Sequence, residues 1–253
     1  MTVTVDLRGK ACLVTGGSRG IGAATVRALV ESGARVFFTY HSGKDEAEAF
    51  VRTLGTSAAC TRCDLADHAA LPAVVDECMN VFGRIDVLVN NAAVFELNRF
   101  DGADYDAWRR GWERTFAVNL FGAADLTWLV LQQMRRQRSG RVINVASRAG
   151  HRGELEFADY GASKAALINL TKSIARSCAR DGITAIAVAP GFVDTAMAAF
   201  DMERHGEEVV AEIPIGRIGT PEEIAAFIAF LCSDHAAYAN GATIDLNGAS
   251  YVR

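Results

Sequence analysis

Several things are missing from this 253-residue chain, and each absence removes a class of function. It has no apolar run long enough to span a bilayer. The amino-terminal MTVTVDLRGK carries an early aspartate and no apolar core of signal-peptide length. Positive charge is not in excess: the formal net charge is -4, which argues against a general nucleic-acid or anionic-membrane binder. The five histidines are scattered without HxxxH or HExxH, so no metal site is expected. Cys60 and Cys63 form a CxxC, but no second pair follows at zinc-ribbon spacing and no thioredoxin-like helix opens there. Several of the six cysteines lie inside apolar patterns, as reduced, buried thiols do. Repeats, low-complexity tracts and Gly/Pro/Ser linkers are also lacking. The expectation is a cytoplasmic protein of one domain, 1–253, with a small-molecule ligand and neither nucleic acid nor membrane as partner.

What is present is an alternation. Short apolar strands are predicted at Ala11–Thr15, Arg35–Thr39, Ser57–Arg62, Val87–Asn90, Arg141–Val145, Thr184–Ala189 and Ala242–Leu246. Helical patterns separate them, among them one continuous stretch from about Asp106 to Arg138, and Gly33, Gly55, Gly140 and Gly182 supply stops. Phe192 to Arg217 reads as less regular. Strands alternating with helices imply right-handed crossovers and buried parallel strands. The predicted class is α/β: a doubly wound (Rossmann), mostly parallel seven-stranded sheet with helices on both faces.

The first strand-to-helix turn is GGSRGIG. Gly16, Gly20 and Gly22 are spaced for a sharp turn, a close backbone approach to a pyrophosphate, and tight packing of helix on strand. Thr15, Ser18, Arg19 and Ile21 belong to the same turn, and the following helix would present free N–H groups to phosphates. The second strand ends in Thr39-Tyr40-His41-Ser42, with no carboxylate to hold a ribose 2′-hydroxyl. Arg19, Ser42 and Lys44 could instead bind a 2′-phosphate, or be solvated surface groups; the contrast favours NADP(H) over NAD(H).

Tyr160 and Lys164 lie four apart in a helical stretch and so share a face. An ammonium beside a phenol lowers the phenol pKa, which would suit the tyrosine to proton transfer near neutral pH. An isolated YxxxK is equally compatible with a surface pair. Ser147 closes RVINVAS, placing its hydroxyl at the carboxyl end of a strand. Between them, Arg148, His151, Arg152, Glu154 and Glu156 would either line a pocket for a polar or ionic substrate or form a solvated loop.

Taken in order, these motifs resemble the classical short-chain dehydrogenases/reductases over nearly the whole chain. Thr15-Gly16 through Gly22 matches TGxxxGxG, and Asn90-Asn91-Ala92-Ala93 matches NNAG with Ala93 in place of glycine. Pro190-Gly191 with Val193 and Thr195 resembles the PGxxxT segment near the nicotinamide. Asn119, Ser147, Tyr160 and Lys164 fall at the catalytic tetrad, although Val145-Ala146-Ser147 lacks the common doubled serine. The resemblance implies that Tyr160 exchanges the proton, Ser147 holds the carbonyl oxygen, Lys164 binds the nicotinamide ribose and Asn119 holds a relay water. Read without the family, Asn119 is a polar helix residue satisfied within a kink. Asp64 and Leu65 are implied at the adenine edge, while Asp64 alone reads as a cap for the helix from Ala66. A substrate-covering lobe is expected around 192–217, with Met197, Phe200 and Met202 as apolar contacts, although a plain surface helix would have the same pattern. The implied function is ketone/secondary-alcohol interconversion by a homo-oligomer, dimer or tetramer. The alternatives are an NAD-dependent alcohol dehydrogenase of the same family and a non-catalytic NADP-binding sensor or scaffold.

Overall fold

A computed structural model describes residues 4–102 and 104–253, with the side chains of residues 200 and 201 outside the description. Seven strands form one parallel sheet: β1 (Ala11–Val14), β2 (Arg35–Tyr40), β3 (Ala58–Arg62), β4 (Val87–Asn90), β5 (Gly140–Val145), β6 (Ile183–Pro190) and β7 (Thr243–Leu246). Their order is β3-β2-β1-β4-β5-β6-β7, and every pairing is parallel. The chain winds outward from β1 in one direction and from β4 in the other. Their carboxyl ends therefore bound the crevice in which open α/β sheets bind ligands.

The helices are α1 (Gly20–Glu31), α2 (Lys44–Leu54), α3 (Leu71–Phe82), α4 (Tyr105–Phe116), α5 (Ala123–Gln137), α6 (Ala158–Cys178), α7 (Ala199–Ala211) and α8 (Pro221–Cys232). Strand side chains alternate between two cores, as the pleat requires. Cys12 and Val14 of β1 pack with Val26, Leu29 and Ile228 of α1 and α8. Ala11 and Leu13 face the other way, onto Val74, Leu126, Val130 and Ile174 of α3, α5 and α6. Both faces are covered, which is why the central strands read as unbroken apolar runs. All six cysteines are free thiols, and all but Cys60 are buried.

Two elements depart from the sequence reading. The stretch from 106 to 138 is not one helix, because a π-helical turn, Ala117–Gly122, separates α4 from α5. The region after Phe192 contains a full helix, α7, kinked at His205, where φ is -139°.

Candidate active site

The glycine turn is tied down from two sides. The Gly17 N–H donates to the Thr39 carbonyl at 2.9 Å, and the Gly16 N–H donates to Thr39 Oγ1 at 3.2 Å. Thr15 Oγ1 accepts from the N–H groups of Asn91 and Ala92, both at 3.0 Å. Asn91 Nδ2 returns to the carbonyls of Thr15 and Gly16. Gly16 and Gly20 have φ of +64° and +54°, in the left-handed region that favours glycine. A Cβ on Gly22 would collide with the Gly16 carbonyl oxygen. No side chain caps α1 at Arg19, so its first N–H groups stay open toward the crevice. Open N–H groups beside a turn that admits no Cβ fit the pyrophosphate of a dinucleotide.

A cavity of about 1060 Å³ runs from this turn across the carboxyl ends of the strands. Its wall includes Ser18, Arg19, Gly20, Ile21 and Gly22, then Tyr40, His41 and Ser42 at the end of β2. Asp64, Leu65, Asn91, Ala92 and Ala93 line the middle, and Pro190, Gly191, Val193 and Thr195 line the far side. Thr15 is an exception among the expected residues: it is fully buried beneath the turn and braces Asn91 and Ala92 instead. Lys44 also stays off the wall and faces Glu48 at 3.6 Å, as a surface pair. Asp64 lines the cavity but does not cap a helix from Ala66, because Leu65 and Ala66 form a turn and α3 begins only at Leu71 after a 3-10 turn capped by Asp67. The Asp64 carboxylate accepts from the Ala66 N–H at 3.0 Å, and it pairs with Arg114 at 3.1 Å and His41 at 3.5 Å.

Ser147, Tyr160 and Lys164 meet on the wall of the same cavity. Ser147 ends the run after β5, where its Oγ accepts from the Ala149 N–H at 3.1 Å. Tyr160 and Lys164 project from the first turns of α6, with Lys164 Nζ 5.6 Å from the Tyr160 ring centre. Lys164 Nζ donates to the Val145 carbonyl at 2.8 Å. The ammonium does not lower the Tyr160 pKa here, contrary to the expectation from spacing. Burial pushes the Tyr160 phenol up to about 12, with a Ser147 hydrogen bond pulling weakly the other way. Burial also pushes Lys164 down to about 7. The physical reason is desolvation of both charged forms at 9% and 2% exposure.

Asn119 sits in the π-helical turn, 1% exposed and off the cavity wall. Its Oδ1 accepts from the Val94 N–H at 2.8 Å, and its Nδ2 donates to the Val94 carbonyl at 3.0 Å and to Ser163 Oγ at 3.2 Å. It is thus a polar residue satisfied inside an interrupted helix.

The loop after Ser147 divides. Arg148, Arg152, Glu154 and Glu156 line the cavity, whereas His151 turns away to stack on Tyr251 and approach Asp245 at 3.5 Å. Met197, His205, Glu208, Val209 and Glu212, around α7, close the same end of the cavity, while Met202 does not line it. Sequence reasoning missed three contributors. Phe95 stacks on Phe157 at 3.9 Å and meets Tyr160 edge-on at 4.8 Å. Asp159 is 1% exposed and accepts from Thr115 Oγ1 at 2.7 Å and from Asn98 Nδ2 at 3.1 Å, anchoring the start of α6. Spacing carries no signal for these, since their partners come from the 91–104 connection and α4.

Comparison with known proteins agrees with this geometry. A family model described as enoyl-(acyl carrier protein) reductase matches residues 16–248. The 3-oxoacyl-[acyl-carrier-protein] reductase FabG of Vibrio cholerae is 38% identical over 248 residues, 98% of this chain and all of that protein. FabG of Escherichia coli K12 is 38% identical over 250 residues, with the same shares covered. Among solved structures, gox2181 superposes with a TM-score of 0.91 at 29% identity, covering 97% of this chain and 96% of its own. A mutant short-chain dehydrogenase/reductase from Serratia marcescens superposes with 0.88 at 36% identity, covering 97% and 99%.

Proposed function

The chain belongs to the classical short-chain dehydrogenases/reductases, oxidoreductases of a keto/alcohol pair with NAD(P), and from that premise we propose an NADP(H)-preferring enzyme that interconverts a ketone and a secondary alcohol. The observation that carries the reading is that Ser147, Tyr160 and Lys164 share one cavity with the open glycine turn. A nicotinamide dinucleotide held there supplies hydride in reduction and accepts it in oxidation. The turn Gly16–Gly22 and the uncapped start of α1 hold the pyrophosphate. Arg19 and Ser42, exposed on the cavity wall with no carboxylate at the end of β2, receive the 2′-phosphate. Asn91 to Ala93 and Pro190 to Thr195 flank the nicotinamide half, as the family resemblance implies.

Ser147 Oγ holds the carbonyl oxygen where negative charge grows. Tyr160, kept protonated by its burial, donates the phenolic proton to that oxygen during reduction. Lys164 restores the proton and binds the ribose. The relatives' names make a 3-oxoacyl group one carbonyl class to test.

Tyr160→Phe keeps the ring packed against Phe95 and removes only the hydroxyl. Turnover should fall at least roughly 100-fold while NADPH affinity, read by fluorescence titration, stays within about twofold. Wild-type turnover in this variant would overturn the mechanism.

A further inference from the structure

Arg148 follows Ser147 directly and opens a short 3-10 turn, Arg148–Gly150. Its side chain lines the cavity although it is only 4% exposed, and its guanidinium lies 5.0 Å above the Phe192 ring centre. Stacking on the ring covers one face of the fork and offers no acceptor to its N–H groups. The carboxylate that approaches it, Glu154 Oε1, stops at 3.8 Å, outside hydrogen-bonding distance. Arg152 takes that same oxygen at 3.4 Å and also reaches Glu212 at 3.4 Å. The result is a buried cation whose Nη1 has no hydrogen-bond partner. An unmet donor in so dry a place is costly, and because the same side chain lines the cavity, the rest of its fork is within reach of an acceptor carried by a ligand.

The position of Arg148 narrows what that acceptor is. Ser147, its chain neighbour, is the residue read above as holding the reacting carbonyl oxygen. Both side chains line one cavity, so an acceptor on the Arg148 fork belongs to the same ligand as the ketone. A planar fork is matched by a planar, bidentate anion. Glu154, Glu208 and Glu212 line the same end of the cavity, which disfavours a doubly charged phosphate and tolerates a singly charged group next to the cation. Phe192 and Phe157 leave apolar wall for a short carbon skeleton.

We propose that Arg148 is a specificity-determining residue that receives a carboxylate on the substrate, so that the preferred ketone is a short free oxo acid rather than a neutral thioester or ester. This rests on the oxidoreductase reading of the same cavity. It gives the charged loop after Ser147 a purpose: Arg152 holds Glu154 and Glu212 more closely, so that Glu154 stays 3.8 Å from Arg148 and makes no hydrogen bond to its fork.

The test compares 2-, 3- and 4-oxo acids with their methyl esters as substrates, with NADPH, in wild type, Arg148→Met and Arg148→Lys. The wild type should favour its best acid over the matching ester by roughly 100-fold in kcat/KM, with most of the difference in KM. Arg148→Met should lose that preference while ester turnover changes less than about threefold, and Arg148→Lys should recover part of it. Equal use of acid and ester by the wild type would overturn the proposal whatever the variants do. So would an Arg148→Met that slows acid and ester alike with NADPH binding intact. Ester turnover without acid preference leaves the oxidoreductase reading standing, whereas no turnover of either, with NADPH bound, overturns both.

Discussion

Tyr160 meets Phe95 edge-on and Lys164 lies 2% exposed on the same helix face, so each loses water around its charged form. Four-residue spacing brings an ammonium to a phenol, but it does not report how dry the place is, and here dryness sets both directions. The consequence for stability has a definite sign. The folded protein releases the Lys164 proton near pH 7, whereas the unfolded chain keeps it to its ordinary value of 10.5. Across that interval the unfolded state binds more protons, so this group makes stability rise with pH. Tyr160 acts oppositely, and only above pH 10, because its folded pKa is raised. Urea denaturation at pH 7 and pH 9 should show the wild type gaining up to about 2 kcal/mol relative to Lys164→Met. Taking the difference between the two proteins cancels the buried thiols of Cys12, Cys78 and Cys232, whose raised pKa values act with the opposite sign near pH 9. Parallel stability curves for the two proteins would contradict a lysine held in a dry site.

At the scale of elements, the strands were legible because buried parallel strands are short, apolar and bounded by turns: Val87–Asn90 agrees at both ends, and the other six differ by one residue at one or both ends. The glycine turn was legible for the same reason, since a position that admits no Cβ is written as glycine. The break between α4 and α5 was not. Within it the Asn119 side chain pairs with both backbone groups of Val94, a residue 25 positions away. Nothing in local periodicity announces such a pairing. Likewise, α7 carries exposed charge and a kink at His205, so its pattern blurred. The Asn119 pairing is also an energetic claim. Asn119→Ala leaves the Val94 N–H and carbonyl without their partners in a partly buried place, which should cost about 1–2 kcal/mol by urea denaturation. A loss under about 0.5 kcal/mol would mean that Asn119 does not hold the two elements together.

At the scale of the whole molecule, function follows from where the winding reverses. The glycine turn comes from the first half of the chain and Ser147, Tyr160 and Lys164 from the second, and the sheet order brings them to one crevice. The motifs named both halves in advance. They did not show that the loop after Ser147 turns four of its five charged residues into the cavity and sends His151 to the carboxyl-terminal segment. That depends on the packing of Arg148 against Phe192, residues 44 positions apart in the chain.

The central claim is that this crevice reduces a ketone with NADPH. The direct measurement is loss of reduced-nicotinamide absorbance on addition of carbonyl compounds, with NADPH and NADH run in parallel. The panel should hold 3-oxoacyl thioesters, free oxo acids, diketones and quinones. Ketone-dependent oxidation with a kcat/KM for NADPH at least about 10-fold above that for NADH is the predicted result if, as proposed, Arg19 and Ser42 receive the 2′-phosphate. Faster turnover with NADH would contradict the cofactor assignment, and tight NADPH binding with no turnover of any carbonyl would contradict the reaction.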